Sequence, residues 1–511
     1  MKAGLSGIMI AIIIYLAAMV YIGWYFSRTG SSDSTTDFYL GGRKLGPFVT
    51  AMSAEASDMS SWLLMGLPGL AYLTGIADAG WTAIGLAVGT YLNWLIVAKR
   101  LRRYSITCHA ITIPEFFSRR YHDEKNILMC ISAVMILIFF IPYTASGFKA
   151  VGTLFNSLFG FDYHTAMIAG ALVIIGYTVM GGFMAVSTTD LIQSIVMSIA
   201  LVIIVFYGIH IAGGWNAVMD NAHALAGYLS MTQIHNPASN TASPYSFMNI
   251  FSMMAWGLGY FGMPHILLRF MAIEDEDKLT FSRRIASVWV VISMIVAILI
   301  GIIGYGVSAA GGLETFTTNA DSETIIIRLA GLLGEHGFFL SIIAGIVLAG
   351  ILASTMSTAD SQLLTAASGV SQNLIQDFLK IKLNAKASMN AARLTVVAVA
   401  LVAIVLAWDP NSSVFTIVSF AWAGFGAAFG PVMLFSLFWR RTNFYGALAG
   451  MISGGVMVFL WKYLVRPLGG MWNIYELLPA FLTASASIIL VSLLTDAPSE
   501  EICREYDSVG K

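Results

Sequence analysis

The sequence is divided into apolar blocks of about twenty residues, separated by short polar segments. An α-helix of that length crosses the hydrocarbon core of a bilayer, which is roughly 30 Å thick. Hydrophobic residues make up 58% of the chain and charged residues only 11%, whereas a soluble domain carries about 25% charged residues. The sequence therefore excludes a soluble protein. It predicts an all-α polytopic membrane protein, with a single membrane domain over residues 1–511 and the lipid bilayer as its partner.

Thirteen blocks are candidate transmembrane helices. In chain order they are Ile8–Ser27, Phe48–Leu73, Trp81–Ala98, Ile127–Gly147, Thr165–Met180, Leu191–Ile211, Phe247–Phe270, Ile285–Val307, Phe338–Val370, Ala391–Trp408, Val414–Trp439, Tyr445–Leu464 and Leu478–Leu494. No small-residue cleavage pattern follows the first block, so it is expected to be a retained span rather than a signal peptide. The odd count leaves room for one peripheral helix at residues 8–27 and two halves of five helices.

Lysine and arginine are concentrated in alternate loops, and such loops face the cytoplasm. The basic loops contain Arg28, Arg43, Lys44, Lys99, Arg100, Arg102, Arg103, Arg119, Arg120, Lys125, Lys278, Arg283, Arg284, Lys380, Lys382, Lys386, Arg393, Arg440 and Arg441. The long opposite loop at residues 212–246 contains no lysine or arginine. The pattern predicts that the N-terminus lies outside and that residues 495–511 form a cytoplasmic tail.

Polar chemistry enters the membrane in the second block, where Asp58 lies among hydroxyl groups. Three serines, two glycines and a proline accompany it, namely Ser57, Ser60, Ser61, Gly66, Gly69 and Pro68. An ionisable group within a span is costly and indicates function. A broken helix frees backbone carbonyls, and a hard cation prefers oxygen ligands. The segment thus predicts a cation site. The alternative is a buried aspartate that pairs with a polar group of another span.

The ninth block carries hydroxyl residues at positions i, i+3, i+4 and i+7, which share one face of a helix. They are Ser354, Ser357, Thr358 and Ser361. Their oxygens can complete a cation site together with carbonyls of the second block. Small hydroxyl residues also let membrane helices pack closely, so the stripe alone leaves both interpretations open.

The seventh block is interrupted as well, five spans after the first interruption. Three glycines lie between Trp256 and Pro264, and an uninterrupted stable helix does not accommodate them together with the proline. Corresponding interruptions in two halves indicate the binding site of a transporter. Trp256 and Tyr260 share a face if the segment stays helical. They either wall an apolar solute, whose carboxylate the exposed N–H groups receive, or pack as ordinary aromatic residues.

Other classes of function have less support. The sequence contains no HExxH, GxSxG or GxxxxGK[ST] motif, which disfavours an enzyme. It has no basic stripe for nucleic acid and no CxxC pair, so nucleic-acid binding and thiolate metal sites are not expected. A channel needs a continuous wet pathway, and two interrupted helices with one isolated aspartate fit an occluded central site better.

Six stretches resemble the sodium/solute symporter family and, within it, the sodium/proline branch: Gly41–Pro47, Ser57–Gly69, Gly181–Asp190, Trp256–Ala272, Met356–Thr358 and Ala421–Val432. The resemblance implies inverted five-helix repeats at about residues 48–211 and 247–439 whose first helices are broken, with additional helices at 445–494. It implies sodium-coupled symport of proline across the cytoplasmic membrane by alternating access, with Na⁺ as the coupling ion and no organic cofactor. Another amino acid, pantothenate or a sugar remains an alternative solute, although an apolar aromatic pocket argues against a sugar.

The resemblance also implies roles for individual residues. Sodium would be held by backbone oxygens and hydroxyls of Ala56, Met59, Ser354, Ser357 and Thr358, with Asp58 and Asp190 linked to sodium binding and release. The proline pocket would include Tyr143, Trp256, Tyr260 and Pro264, and Arg43 would serve coupling at the cytoplasmic side. The sequence departs from the family pattern at Ser61, Met263 and Ser354, where glycine, glutamine and alanine are expected. Met263 therefore bears on the solute, whereas a backbone ligand tolerates Ser354.

Overall fold

The computed structural model describes residues 2–29 and 35–509. Within these ranges the chain forms 21 α-helices: α1 Lys2–Thr29, α2 Thr35–Leu40, α3 Pro47–Ser61, α4 Leu67–Thr74, α5 Ile76–Leu92, α6 Ala98–Thr107, α7 Ile113–Arg120, α8 Ile127–Phe159, α9 Tyr163–Ile211, α10 Trp215–His223, α11 Phe247–Met254, α12 Pro264–Ala272, α13 Leu279–Ala309, α14 Asn319–Ser322, α15 Ile325–Gly334, α16 Phe338–Ser368, α17 Ala385–Leu406, α18 Val414–Phe438, α19 Phe444–Leu460, α20 Leu477–Leu494 and α21 Glu500–Val509. Short 3₁₀ and π-helical turns extend or join several of them.

The prediction of a helical polytopic protein is confirmed, apart from one small hairpin. Strand β1 (Gln233–Asn236) pairs antiparallel with β2 (Thr241–Pro244) in the long loop after α10. In the described part of the chain, eleven helices are long and apolar enough to cross a membrane. They correspond to eleven of the thirteen predicted blocks. The other two blocks are the interrupted ones, and neither forms a single long helix.

The fifth and sixth predicted blocks lie in one helical segment, α9, which bends sharply at Gly182. This glycine has φ 61° and ψ −165°, a conformation that residues with a side chain rarely adopt. A Cβ at this position would lie 2.8 Å from the ring of Phe38. The glycine therefore allows α2 to pack against the bend, and it divides α9 into two spans.

The first interrupted segment runs through α3, a π-helical turn at Trp62–Gly66, and α4. The interruption is confirmed, but the sharpest break lies at Ser60, with φ 45° and ψ −172°, before the predicted glycines and proline. Pro68 instead occupies the first turn of α4, where its missing N–H costs little. The hydroxyl of Ser60 accepts a hydrogen bond from the backbone N–H of Trp62 (3.1 Å).

The second interrupted segment consists of α11, a 3₁₀ helix at Ala255–Gly262, an extended residue at Met263, and α12. Glycine is required here by close backbone packing, since a Cβ on Gly257 would lie 2.1 Å from the carbonyl oxygen of Gly85 in α5. A 3₁₀ helix has three residues per turn. Trp256 and Tyr260 therefore do not lie one above the other, because the α-helical condition for a shared face is not met.

Helix α16 lies at the centre of the molecule and packs against α1, α3, α8 and α9. Every side chain from Val347 to Ser368 is buried. Its hydroxyl stripe therefore faces protein on all sides and has no contact with lipid, which places these oxygens beside the broken α3.

Candidate functional site

The stripe of α16 meets the backbone of α3 just before the break. The hydroxyl of Ser357 donates a hydrogen bond to the carbonyl oxygen of Ala56 (2.8 Å). The hydroxyls of Ser357 and Thr358 also lie 3.2 Å from the carbonyl oxygen of Ser354. All of these residues are buried. Four oxygens without a nitrogen among them form a cluster of the kind that hard cations bind.

Met59, the remaining predicted ligand, lies at the break itself. Its carbonyl oxygen accepts a hydrogen bond from the N–H of Trp62 and is therefore part of the tight turn around Ser60. The structure thus brings the oxygens of Ala56, Ser354, Ser357 and Thr358 together, and it places Met59 one turn beyond Ala56 on the same helix.

Asp58 joins the two interrupted segments. The hydroxyl of Tyr260 donates to its carboxylate Oδ2 (2.6 Å), and the hydroxyl of Tyr143 in α8 donates to its backbone carbonyl (3.2 Å). The other carboxylate oxygen, Oδ1, is buried and has no hydrogen-bond partner among the described residues. A buried carboxylate with a free oxygen is costly, so this position is suited to a polar or cationic group that the protein binds.

An aromatic cavity lies next to Asp58 and Met59. Its lining also includes Trp62, Leu86, Tyr143, Trp256, Val418 and Trp422. The free space is only about 10 Å³, which is close to the minimum for one water molecule. A larger solute enters only when the aromatic side chains move apart.

Trp256 is the central ring of this aromatic group. Its ring centroid lies 5.4 Å from that of Trp62 and 5.0 Å from that of Tyr475, with which it stacks at an interplanar angle of 18°. The indole N–H of Trp422 donates to the backbone carbonyl of Trp256 (2.7 Å). Rings from the turn between α3 and α4, from α18 and from the segment just before α20 therefore hold this part of the second interrupted segment in place.

The predicted pocket residues are only partly brought together. Tyr143 and Trp256 line the cavity, and Tyr260 reaches it through Asp58. Pro264 is not among the lining residues and instead begins α12. Trp62 and Trp422 were missed by the sequence analysis. Their signal was a tryptophan in the middle of an apolar block, close to glycines that bring another backbone near.

Asp190 of α9 forms a buried ion pair with Arg269 of α12, beside α3. Its Oδ2 accepts hydrogen bonds from Nη2 of Arg269 (3.1 Å) and from the hydroxyl of Ser53 (2.6 Å). The same Nη2 donates to the hydroxyl of Ser361 in α16 (2.6 Å). The pair therefore connects α9, α12, α3 and α16. Removing one partner of such a buried pair typically costs about 3–5 kcal/mol. The sequence analysis did not identify Arg269 as the partner of Asp190.

Arg43 lies in a turn before α3, outside the spans, and joins three segments. Its guanidinium donates to the carbonyl oxygens of Met271 (2.7 Å) and Ala110 (2.6 Å) and to Ser105. Burial, together with the nearby Arg102, lowers the pKa of Arg43 to about 10, so the group is charged at neutral pH. Arg43 thus links the start of the first interrupted segment to the end of the second.

Two interrupted helices that meet beside a buried oxygen cluster and an aromatic cavity are the arrangement of secondary transporters, in which the binding site lies at discontinuous helices. A more specific assignment comes from comparison with known families. Residues 38–454 match the model of the sodium:solute symporter family, and the chain belongs to that family of multi-pass membrane transporters.

Several curated relatives match nearly the whole chain. The sodium/proline symporter of Haemophilus influenzae is 41% identical over 99% of this chain and 98% of its own length. The sodium/proline symporter of Escherichia coli is 42% identical over 96% and 94%. The osmoregulated proline transporter OpuE of Bacillus subtilis is 40% identical over 99% and 98%.

Solved structures share the fold at low sequence identity. A Na⁺-coupled sialic acid symporter, in a substrate-bound outward-open state, has a TM-score of 0.78 at 17% identity and covers 96% of this chain and 99% of its own. The nucleobase-cation-symport-1 transporter Mhp1, in a closed conformation, has a TM-score of 0.55 at 14% identity, with coverage of 93% and 100%. The chain therefore has the fold of these transporters.

Proposed function

We propose that the protein is a sodium-coupled symporter that carries proline into the cell by alternating access. The observation that carries this proposal is the buried oxygen cluster where Ser357 contacts Ala56. It lies about one helical turn from the aromatic cavity, which is lined by Asp58 and Met59 of the same helix. An ion site and a solute site so close together can influence each other directly. Curated relatives named as proline transporters, at about 40% identity, support proline as the solute.

Sodium would bind among the backbone oxygens of Ala56, Met59 and Ser354 and the hydroxyls of Ser357 and Thr358. The Ser357 hydroxyl now donates to Ala56, so it must rotate and turn a lone pair toward the ion. Asp58 would balance the positive charge, and Asp190 would act on the path along which sodium leaves. The all-oxygen lining favours a hard cation over a soft metal.

Proline would occupy the aromatic cavity beside Asp58. The Trp256 ring offers an apolar face for the pyrrolidine ring, and an aromatic face also attracts a cation such as the secondary ammonium. Tyr143 and Tyr260 contribute hydroxyls, and Pro264 keeps the preceding Met263 extended at the end of the second interruption. The lining contains few groups that could bind the hydroxyls of a sugar, which favours an amino acid over that alternative.

The same proposal extends to the architecture. Thirteen spans result when the two interrupted segments are added to the eleven long helices, with a peripheral helix at 8–27 and additional helices at 445–494. Each inverted five-helix repeat, at about 48–211 and 247–439, begins with an interrupted segment. In the cytoplasmic membrane the N-terminus would lie outside and the tail at 495–511, which is described as far as Val509, would lie inside. Arg43 would then hold the cytoplasmic ends of both repeats together.

Uptake of radiolabelled proline into proteoliposomes tests the proposal. An inward sodium gradient should drive accumulation above equilibrium, and a choline gradient of equal size should not. Unlabelled proline should compete, whereas glucose and pantothenate should leave uptake unchanged. Accumulation without sodium would contradict the ion assignment, and competition by glucose would contradict the solute assignment.

A further inference from the structure

A second cavity, far larger than the aromatic cavity, opens on the side of the membrane domain that would face the lipid. It lies between the latter half of α9 and the first half of α13, and Met52 of α3 also lines it. Its volume is about 460 Å³. The walls are mostly apolar, with Val202, Val288 and Ile292 exposed by 52%, 58% and 57%. We call this cavity the α9–α13 groove.

The occupant of this groove is determined by its surroundings. Both α9 and α13 contain membrane spans, so the groove opens to hydrocarbon rather than to water. An empty apolar groove would lose van der Waals contacts along all its walls. A flexible hydrocarbon chain from the bilayer restores those contacts, and no soluble partner reaches this surface.

One end of the groove carries a positive charge. Arg284, in the second turn of α13, is its only charged lining residue. Arg284 is exposed and has no hydrogen bond or ion pair with any residue of the ranges 2–29 and 35–509. Of its basic neighbours, Lys278 pairs with Glu274 (2.7 Å). The Arg283 guanidinium lies over the ring of Tyr91 (5.4 Å), although its Nε has no hydrogen-bond partner among the described residues. Arg284 is therefore available for a group from outside the chain.

A guanidinium binds phosphate through two parallel hydrogen bonds. Basic pockets between transmembrane helices at the cytoplasmic surface bind anionic lipid head groups. Arg284 lies at the mouth of the groove near the start of α13, which corresponds to the level of the lipid head groups. The arginine therefore matches the phosphate of such a lipid, and the apolar groove matches its acyl chain.

We propose that the α9–α13 groove binds one anionic phospholipid, with an acyl chain in the groove and the head-group phosphate on Arg284. The chain then touches Met52, which lies one helical turn before Ala56 on α3. A lipid in this site therefore supports the back of the helix that carries the oxygen cluster. The site is independent of which solute the protein transports.

Fluorescence quenching by brominated lipids tests this site, because Trp289 lines the groove and its indole N–H donates to Ser198 (3.0 Å). The full chain is reconstituted in phosphatidylcholine with increasing fractions of brominated phosphatidylglycerol or brominated phosphatidylcholine. The signal of Trp289 is obtained by subtracting that of Trp289→Phe. Phosphatidylglycerol should associate about fivefold more strongly than phosphatidylcholine, because one arginine near the membrane surface strengthens the binding of an anionic lipid by about this factor.

Matched variants distinguish a site from general attraction. Arg284→Gln should abolish the preference for phosphatidylglycerol, whereas Arg283→Gln, one residue away and outside the groove, should retain it. Ser293→Phe, which fills the groove, should reduce quenching by both lipids, and Val291→Phe, on the lipid-facing side of the same helix, should not. Equal association of both lipids with the unmodified protein would overturn the proposal. Equal loss in Arg283→Gln and Arg284→Gln, or unchanged quenching in Ser293→Phe, would overturn it as well.

Discussion

Replacing Ser357 with alanine separates the role in ion binding that we propose for it from its role in helix packing. The substitution removes the hydroxyl that lies 2.8 Å from the Ala56 carbonyl and introduces no bulk. A hydrogen bond between membrane helices contributes on average about 0.6 kcal/mol, so packing should change little. An interaction of a hydroxyl with a charged group is worth about 1.5–3 kcal/mol. Sodium affinity should therefore fall by roughly tenfold to a hundredfold.

Ser368→Ala is the matched control on the same helix. The Ser368 hydroxyl is also buried but donates only to Thr365 in its own turn (2.8 Å), about 16 Å along α16 from Ser357. The assay measures proline uptake at increasing sodium concentrations and proline binding at fixed sodium. Because coupling is reciprocal, Ser357→Ala should weaken both, and Ser368→Ala should weaken neither. The reasoning is refuted if the sodium dependence of Ser357→Ala is unchanged, or if both variants lose it equally.

Three further substitutions test other parts of the site. Asp58→Asn keeps the size of the side chain but removes its charge, so sodium affinity should fall by more than tenfold while expression stays near the unmodified level; poor folding with a normal sodium response would instead indicate a packing role. Trp256→Ala removes the stacked ring and should lower proline affinity about tenfold, with little change in sodium binding measured without proline by calorimetry. Arg43→Lys cannot keep contacts to three segments through one ammonium, so the end of the molecule that contains this residue should open more often. Burial raises the pKa of the neighbouring Cys108 thiol to about 11, and its alkylation by a maleimide, with the other cysteines replaced, should become about fivefold faster; an unchanged rate would show that Arg43 does not restrain this end.

The features that could be predicted from the sequence depend on local chemistry. Apolar blocks gave the spans because the bilayer selects length and hydrophobicity. Clusters of glycine and proline gave the two interruptions because these residues do not continue a helix. The position of the first break could not be derived in this way. Ser60, a residue with no special tendency to adopt a positive φ, makes the turn, while Pro68 is absorbed in the first turn of α4.

Long-range pairing was the other limit of the sequence analysis. Asp190 and Arg269 lie on helices whose relative orientation no periodicity reports, so their ion pair follows only from packing. The tryptophans Trp62 and Trp422 look like any aromatic residue of an apolar span, and their place at the cavity depends on the 3₁₀ segment at Ala255–Gly262. The sequence did predict that the hydroxyl residues of α16 share one face, because helical spacing alone places them there.

The backbone of Ser60 has a mechanical consequence for the transporter. Its φ and ψ angles lie close to a region that is essentially restricted to glycine, and holding such a conformation costs about 1–3 kcal/mol. Ala56 and Met59 precede this residue, and the ring of Trp62 follows it within two peptide units. Relaxation of this one residue would rotate the Trp62 ring relative to the carbonyl groups of Ala56 and Met59. The strained Ser60 therefore lies between the backbone of Ala56 and Met59 and the ring of Trp62, so a change at this residue would move the two parts relative to each other.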